Sequence, residues 1–317
     1  MKFLVALLSV FGIALVISLI TTVICFFMAF FVSDKEKMPK GEYAVPEGKV
    51  YEPHRERMIQ FIRQTRALPS EEICITSYDG LKLYGKFYEY APGAPIELMM
   101  PGYRGLAERD LCGGVQRSFR LQRSVLLVDQ RACGKCDGHV ISFGIKERYD
   151  CQSWANYLYK RFGKETPVIL TGVSMGAATV MMATELELPP NVVGVIADCG
   201  YSSPKEIICK VIRQMKLPAK PLYPFVKLAA KLFGGFDLEA ASPLEAMRKC
   251  RIPVFFAHGE DDDFVPCEMT VACHDACPAP KRLLTVPEAG HGLAYLIGKE
   301  KYLEVLKEMV PLYAKCN

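Results

Sequence analysis

The first thirty or so residues form a hydrophobic run that is long enough to cross a membrane. Residues 3–32 carry no charged side chain. As a helix this run would be about 45 Å long, against a bilayer hydrocarbon core of about 30 Å. The alternative is a secretory signal peptide, whose apolar region is about 7 to 15 residues long and ends at small side chains. This run is longer and ends in Phe26-Phe27-Met28-Ala29-Phe30-Phe31. We therefore predict a retained transmembrane anchor over residues 1–33.

The charges around this run do not decide on which side of the membrane the rest of the chain lies. Lys2 precedes it, and lysines at positions 35, 37 and 40 follow it together with acidic residues. Counting only Lys and Arg would place the long C-terminal part inside the cell, yet a large domain behind an N-terminal anchor is exported largely regardless of charge. The chain is expected in the membrane, with the extracytoplasmic side favoured.

The next region, residues 34–70, is expected to form a stalk and a leading helix. It is polar up to about Val50, and apolar residues then recur at helical spacing until Leu68-Pro69-Ser70 ends the pattern. From residue 71 the pattern changes to strands. Glu72–Thr76 and Leu81–Glu89 flank a Tyr78-Asp79-Gly80 turn and are predicted to form a hairpin.

The remainder of the chain alternates short apolar runs with helical patterns. The runs show no polar alternation, which is typical of parallel strands covered on both faces. They are Ile96–Met100, Ser124–Val128, Val168–Thr171, Val192–Ala197, Val254–His258 and Leu283–Val286, with helical stretches such as Lys146–Phe162, Met175–Leu186 and Tyr302–Tyr313 between them. We predict one α/β domain over residues 71–317, built on a mostly parallel, doubly wound sheet.

One connection of this sheet is unusually long. About fifty residues separate Asp198 from Val254, with helical patterns at residues 204–215 and 223–233. Long connections with their own secondary structure often cover a binding cleft. We therefore predict a helical lid over about residues 200–250; a plain pair of packing helices is the alternative.

Composition and charge exclude several classes of protein. The 317 residues are 50% hydrophobic and 23% charged, which excludes a disordered or repetitive chain. The net charge of +4 comes without a basic stripe interleaved with aromatic residues, so no nucleic-acid partner is expected.

The thirteen cysteines are scattered along the chain. Cys133-Gly-Lys-Cys136 and an irregular group at residues 267–277 lack the two spaced ligand pairs of a zinc site. We expect free thiols and no metal.

Gly172-Val173-Ser174-Met175-Gly176 stands between a predicted strand and a predicted helix. Glycines beside the serine make room for a sharp turn, which would lift the Ser174 hydroxyl above the sheet edge at the positive end of the helix. Ser174 is the candidate nucleophile. The alternative, a glycine-rich turn with a capping serine, would need no partners further along the chain.

Candidate partners do follow it. Among five histidines, His291 lies in a small-residue loop after the last predicted strand, where ligands bind in open α/β sheets, and is the candidate base. Asp262 lies in an acidic loop after the preceding strand, and the order Ser, Asp, His is the one expected for this kind of sheet. Asp198 is the alternative acid. The other histidines, at positions 54, 139, 258 and 274, are weaker candidates for the base.

A serine that attacks a carbonyl also needs two donors for the oxyanion. The amide of Met175, directly after the serine, is one candidate. The amide of Tyr103 is the other, in the glycine-containing loop Pro101-Gly102-Tyr103-Arg104-Gly105 after an early strand.

Together with Asp129–Gly134, these motifs resemble the α/β-hydrolase superfamily, and within it the monoacylglycerol-lipase-like and serine-aminopeptidase-like branch. The resemblance runs from about Ile73 to the C-terminus. It implies that Asp262, the fifth residue of the His-Gly-x-x-Asp string, is the triad acid, and that Tyr103 and Met175 supply the oxyanion donors. The sequence departs from the family where Pro101-Gly102 replaces the usual His-Gly.

The expected function is that of a membrane-anchored serine hydrolase. It would cleave a small-molecule or lipid ester with Ser174, His291 and Asp262, without metal or organic cofactor, while held in the bilayer by its N-terminal helix. Two alternatives stay open: a peptidase or acyltransferase with the same triad, and a catalytically silent fold used as a binding module.

Overall fold

A computed structural model describes residues 2–38 and 41–314 of the chain. Positions 39 and 40 of the predicted stalk, including Lys40, and positions 315–317 at the end of the predicted domain lie outside the described residues. The strands are β1 (Glu71–Thr76), β2 (Lys82–Tyr88), β3 (Ile96–Met100), β4 (Ser124–Val128), β5 (Val168–Val173), β6 (Val192–Asp198), β7 (Val254–Gly259) and β8 (Lys281–Val286). The α-helices are α1 (Lys2–Ala29), α2 (Asp34–Lys37), α3 (Arg55–Arg66), α4 (Ala107–Asp110), α5 (Gly114–Arg120), α6 (Glu147–Phe162), α7 (Met175–Ala183), α8 (Pro204–Gln214), α9 (Ala219–Ala229), α10 (Pro243–Lys249), α11 (Cys267–Ala276), α12 (Ala294–Ile297) and α13 (Lys299–Tyr313).

The eight strands form one sheet in the order β1-β2-β4-β3-β5-β6-β7-β8. β2 pairs antiparallel with β1 and with β4, whereas all other neighbours are parallel. The predicted hairpin and the mostly parallel, doubly wound sheet are confirmed. Every residue of β3 to β7 is buried, because helices cover both faces of the sheet, and this explains why these strands read as unbroken apolar runs.

A buried ion-pair cluster lies within this mostly apolar interior. Glu97 of β3 is fully buried, and its carboxylate accepts hydrogen bonds from Arg117 at 2.5 Å and from Arg123 at 2.7 Å. The two guanidinium groups compensate the cost of taking a carboxylate out of water. Thr171 of β5 donates to the same carboxylate, at 3.1 Å. The charged cluster thus ties β3 to β5, the strand that leads to Ser174.

The insertion between β6 and β7 contains the two predicted helices, α8 and α9, and a third helix, α10, that was not predicted. The second helix begins at Ala219 instead of residue 223 and ends in a π-turn over Ala230–Gly234. The segment before the sheet is packed: Val45, Met58, Ile59 and Ile62 belong to the same buried cluster as residues of β7, α12 and α13. From Val45 onwards the predicted stalk therefore lies against the domain.

Helix α1 has two different surroundings along its length. The side chains of Phe3 and Leu4 and the large side chains from Leu7 to Ile20 are exposed, whereas Thr22 is buried and α1 packs along α9. Just beyond its end, Phe30 and Val32 are fully buried; the amide of Val32 donates to the carbonyl of His139 (2.8 Å) and that of Ile141 to Phe30 (2.9 Å). Within the described chain, α1 is the one helix that is long and apolar enough to cross a membrane, a test that a signal sequence also passes.

Candidate active site

Ser174 occupies the sharp turn between β5 and α7. Its backbone has φ 56° and ψ −120°, a strained conformation for a residue with a side chain. The two glycines that flank Ser174 are required because neither position has room for a Cβ atom. At Gly172 a Cβ would lie 2.2 Å from the backbone of Gly176, and at Gly176 it would lie 2.0 Å from the carbonyl oxygen of Met100. Only glycines allow this turn to press against the end of β3.

Three side chains predicted from the sequence meet at this turn. The Ser174 hydroxyl donates to Nε2 of His291 across 2.9 Å, and Nδ1 of His291 donates to Oδ2 of Asp262 across 2.7 Å. Asp262 follows β7 and His291 follows β8, so each is carried to the carboxyl edge of the sheet by its own strand. In such a line the imidazole can take the hydroxyl proton while the carboxylate stabilises the resulting positive charge.

The carboxylate of Asp262 is held from several directions. Its Oδ1 accepts hydrogen bonds from the amides of Phe264 (2.9 Å) and Val265 (2.8 Å), and Oδ2 also accepts from Nε2 of His258 (3.1 Å). Burial by itself raises the pKa of Asp262, but the hydrogen bonds from His258 and His291 outweigh it and hold the pKa well below its usual range. Asp262 is therefore ionised when it faces His291.

Asp198, the alternative acid, has a different partner. Its Oδ2 accepts a hydrogen bond from the Tyr302 hydroxyl at 3.0 Å, and burial raises its pKa. A carboxyl group with a raised pKa that is bonded to a phenol is poorly suited to stabilise an imidazolium. The site thus brings together the three residues Ser174, Asp262 and His291, whereas Asp198 is paired with Tyr302.

One group of metal-ligand-type side chains lies at the same position. Within residues 2–38 and 41–314, three ligand-type atoms converge at Cys199, Asp262 and His291. Two of these side chains are already engaged in the serine–histidine–aspartate line. Burial, and then the charges of Asp198 and Asp262, raise the pKa of the Cys199 thiol well above its usual range, so it is protonated. A neutral thiol and two engaged side chains make a poor cation site.

The loop after β3 lies directly beside Ser174. A Cβ on Gly102 would be 3.5 Å from the Cβ of Ser174, so the loop backbone approaches the hydroxyl closely. The amide of Gly102 donates to Oδ2 of Asp110 (2.9 Å), and the side chain of Gln130 donates to the carbonyl of Pro101 (2.7 Å). These two bonds fix the loop that carries Tyr103, while Met175 is the first residue of α7.

Two cavities meet at Ser174, Tyr103 and Phe264. The first, about 230 Å³, also contacts His291 and is lined by Tyr51, Met58, Arg109 and Asp110. The second, about 330 Å³, extends in the other direction and carries no charged side chain. Its walls come from α8, α9 and the C-terminal end of α1. A substrate bound across Ser174 would therefore have one part in mixed polar surroundings and the other part in apolar surroundings.

Comparison with known proteins identifies the fold. No family model matches the chain. The uncharacterised protein YqkD of Bacillus subtilis (strain 168) is 28% identical over 188 residues, which is 59% of this chain and 62% of YqkD, less than two thirds of either. Among solved structures, the esterase Pf2001 of Pyrococcus furiosus is 21% identical with a TM-score of 0.64, covering 78% of this chain and 92% of the esterase. The alpha/beta hydrolase GrgF of a Penicillium species is 18% identical with a TM-score of 0.59, covering 78% of this chain and 99% of GrgF.

The chain has the α/β-hydrolase fold. The esterase EaEST of Exiguobacterium antarcticum agrees, at 18% identity and a TM-score of 0.57 over 76% of this chain and all of the esterase. The predicted fold class is thereby confirmed, including the helical insertion and one apolar N-terminal helix, whereas the monoacylglycerol-lipase-like branch stays a prediction.

Sequence analysis missed several residues that this α/β-hydrolase fold brings to the site. Asp110 holds the loop after β3, and its position in α4 carries no motif. Tyr51 reaches the first cavity from the start of the predicted leading helix, where no motif marks it. The side of α1 that lines the second cavity was also missed, because a helix that is apolar all round gives no signal for which face is covered.

Proposed function

We propose that this chain is a membrane-anchored serine hydrolase that cleaves carboxylic esters by acyl transfer to water. One observation carries the proposal: the hydroxyl of Ser174, the imidazole of His291 and the ionised carboxylate of Asp262 are hydrogen-bonded in line at the junction of two cavities. The names of three structural neighbours, which describe an alpha/beta hydrolase and two esterases, support the same reaction class.

In the acylation step, Oγ of Ser174 attacks the ester carbonyl while Nε2 of His291 takes the hydroxyl proton. The carbonyl oxygen becomes an oxyanion, which the amides of Tyr103 and Met175 would hold. The bond to the alcohol then breaks, and His291 gives its proton to the departing oxygen. Water repeats the sequence on the acyl-enzyme, which releases the carboxylic acid and restores Ser174.

The surroundings of Ser174 favour an ester over a peptide. A peptidase that recognises a free amino terminus needs an unpaired carboxylate near the cleft. In the first cavity the lining carboxylate is that of Asp110, and both of its oxygens are engaged, one by Arg109 and one by the amide of Gly102. The second cavity is lined by uncharged side chains alone. These surroundings support an uncharged acyl group next to Ser174.

Hydrolysis of a short-chain aryl ester by the full chain in detergent tests the proposal. Ser174→Ala should lower kcat by about 1,000-fold or more, because the attacking atom is removed. Ser153→Ala is the matched control, since the Ser153 hydroxyl bonds to the carbonyl of Tyr149 on a remote helix; its rate should equal that of the wild type. Equal rates for the wild type and Ser174→Ala would overturn the catalytic assignment. Failure of a fluorophosphonate probe to label Ser174 would favour a silent binding module.

A further inference from the structure

The apolar cavity beside Ser174 is built partly from the membrane helix. Cys25, Met28 and Ala29 of α1 line it together with Ser174 and Tyr103. Its other walls are apolar side chains of the insertion: Ile207, Ile208, Val211, Ile212, Met215, Leu217, Leu222 and Val226. A hydrophobic chain bound here would touch the anchor and the lid at the same time. The anchor is thus a component of the pocket as well as a tether.

Hydrogen bonds fix this end of α1 against the loop that carries Tyr103. The hydroxyl of Tyr103 donates to the carbonyl of Ala29 at 2.8 Å, and the guanidinium of Arg104 donates to the carbonyl of Phe31 at 2.7 Å. Both acceptors belong to the last turn of α1 or to the residues directly after it, where backbone carbonyls lack helical partners. The neighbouring residues of the loop therefore connect the end of the anchor with the surroundings of Ser174.

The length of α1 places the cavity at the surface of the bilayer. About twenty residues cross the hydrocarbon core, which corresponds to Phe3 through Thr22, the first residue of α1 that is buried against the domain. Met28 lies six residues further on, a rise of about 9 Å, within or close to the headgroup layer. The cavity wall formed by α1 therefore lies where the bilayer interior ends.

The mouth of the cavity is also apolar. Four of its lining residues, Met28, Met215, Leu217 and Phe264, are 40% to 55% exposed. Next to α1, the end of α9 and its π-turn expose Leu228, Leu232 and Phe233, and the ring of Phe233 lies 5.5 Å from that of Phe26. Exposed apolar side chains around a membrane helix are stable in contact with lipid and costly in water.

We propose that α1 forms part of the acyl-binding site, and that the substrate is a long-chain acyl ester which enters from the bilayer past Met28. Its acyl chain occupies the apolar cavity between α1, α8 and α9, and its alcohol part occupies the more polar cavity lined by Tyr51 and Asp110. This inference rests on the proposed ester hydrolysis and adds the substrate class and the specificity-determining residues Cys25 and Leu222.

The test uses the full chain in detergent and a series of 4-nitrophenyl esters from acetate to palmitate. In the wild type, kcat/KM should rise by about fourfold for each methylene that the cavity takes up. Cys25→Trp fills the cavity from α1, and the ratio of kcat/KM for long-chain esters to kcat/KM for the acetate should fall by tenfold or more. Ile24→Trp adds the same ring on the exposed side of α1 and should leave the whole profile unchanged.

Leu222→Phe fills the cavity from α9 and keeps the proposal testable if Cys25→Trp does not fold; Leu228→Phe, on the exposed side of α9, is its control. A chain-length profile that is flat in the wild type, or unchanged in both filling variants, would overturn the assignment of the acyl site while leaving ester hydrolysis in place. Absence of any Ser174-dependent hydrolysis would instead overturn the proposed function, and this inference with it.

Entry from the bilayer has its own measurement. With the full chain in phosphatidylcholine vesicles that contain 4-nitrophenyl palmitate, the rate should follow the mole fraction of the ester in the lipid when the amount of lipid is varied. A rate that follows only the bulk concentration would show that the ester arrives from water, and would overturn entry past Met28.

Discussion

Asp262 is the residue on which the hydrogen bonds of the candidate site converge. Its carboxylate accepts hydrogen bonds from the imidazoles of His258 and His291 and from two backbone amides. Asp262→Asn keeps the shape but removes the charge, and it presents His291 with an amide that favours the wrong tautomer. We expect kcat for a short-chain ester to fall by about 1,000- to 10,000-fold.

The control for this variant is Asp261→Asn, because Asp261 is exposed and adjacent in the same loop. Its activity should match that of the wild type. If Asp262→Asn retained more than a tenth of the wild-type kcat while folded, the role assigned to Asp262 would be wrong, and Asp198 would have to be examined instead.

The same carboxylate should contribute to stability in a pH-dependent way. The pKa of Asp262 is lower in the folded chain than the unfolded value of about 3.9. A depressed carboxyl pKa stabilises the fold fully above the unfolded pKa, and this contribution is lost as the pH falls towards the folded pKa. The difference in melting temperature between wild type and Asp262→Asn should therefore be larger at pH 5 than at pH 3.

Melting can be followed by the fluorescence of Trp154, the single tryptophan, which is fully buried in the core. A difference that is the same at both pH values, or that grows towards pH 3, would mean that the Asp262 carboxylate is not preferentially ionised in the folded state.

The junction between α1 and the domain depends on Phe30. Its ring is fully buried and lies 5.9 Å from that of Phe143 and 5.4 Å from that of Phe236. Phe30→Ala should lower the free energy of unfolding by about 3 kcal/mol, because a buried ring is replaced by a cavity. In a chain of this size that corresponds to a fall of about 6 °C in the melting temperature.

Phe27→Ala is the matched control, since Phe27 lies three residues earlier, in the last turn of α1, and is 53% exposed. It should melt within about 1 °C of the wild type in detergent, because little buried contact is lost. Equal effects of the two substitutions would show that the end of α1 does not pack on the domain as described.

These elements also show what the sequence could and could not predict. The strands were recognisable because burial on both faces makes them uniformly apolar, and the turn around Ser174 was recognisable because only glycines fit beside it. The packing of α1 on α9 was not recognisable from the sequence. Helix α1 is apolar on every side, and such a pattern does not show which face contacts lipid and which contacts protein. The role of Asp110 was hidden for another reason: an acidic residue in a short helix has many possible partners, and only the folded loop selects one.

Taken as a whole molecule, the chain places the apolar cavity of its candidate active site between the long apolar helix α1 and the sheet domain. A chain that keeps the hydrophobic run and a chain from which this run has been cleaved would therefore differ in the walls of this cavity. Cleavage near the end of the hydrophobic run would remove Cys25, Met28 and Ala29 from the cavity wall. It would also break the hydrogen bonds from Tyr103 and Arg104 to this segment, leaving the apolar face of α9 without its partner.

We therefore expect the protein in membranes to retain residues 2–33. The chain, expressed with a C-terminal affinity tag, should stay in the membrane fraction after an alkaline carbonate wash, and mass spectrometry of the purified material should identify peptides from Ser33 and from the hydrophobic run before it. The same preparation should hydrolyse a short-chain ester in a Ser174-dependent way, which shows that the retained form is the active one. A washed supernatant holding an active protein that begins near residue 30 would contradict this prediction, because the domain would then be complete without the helix that lines its cavity.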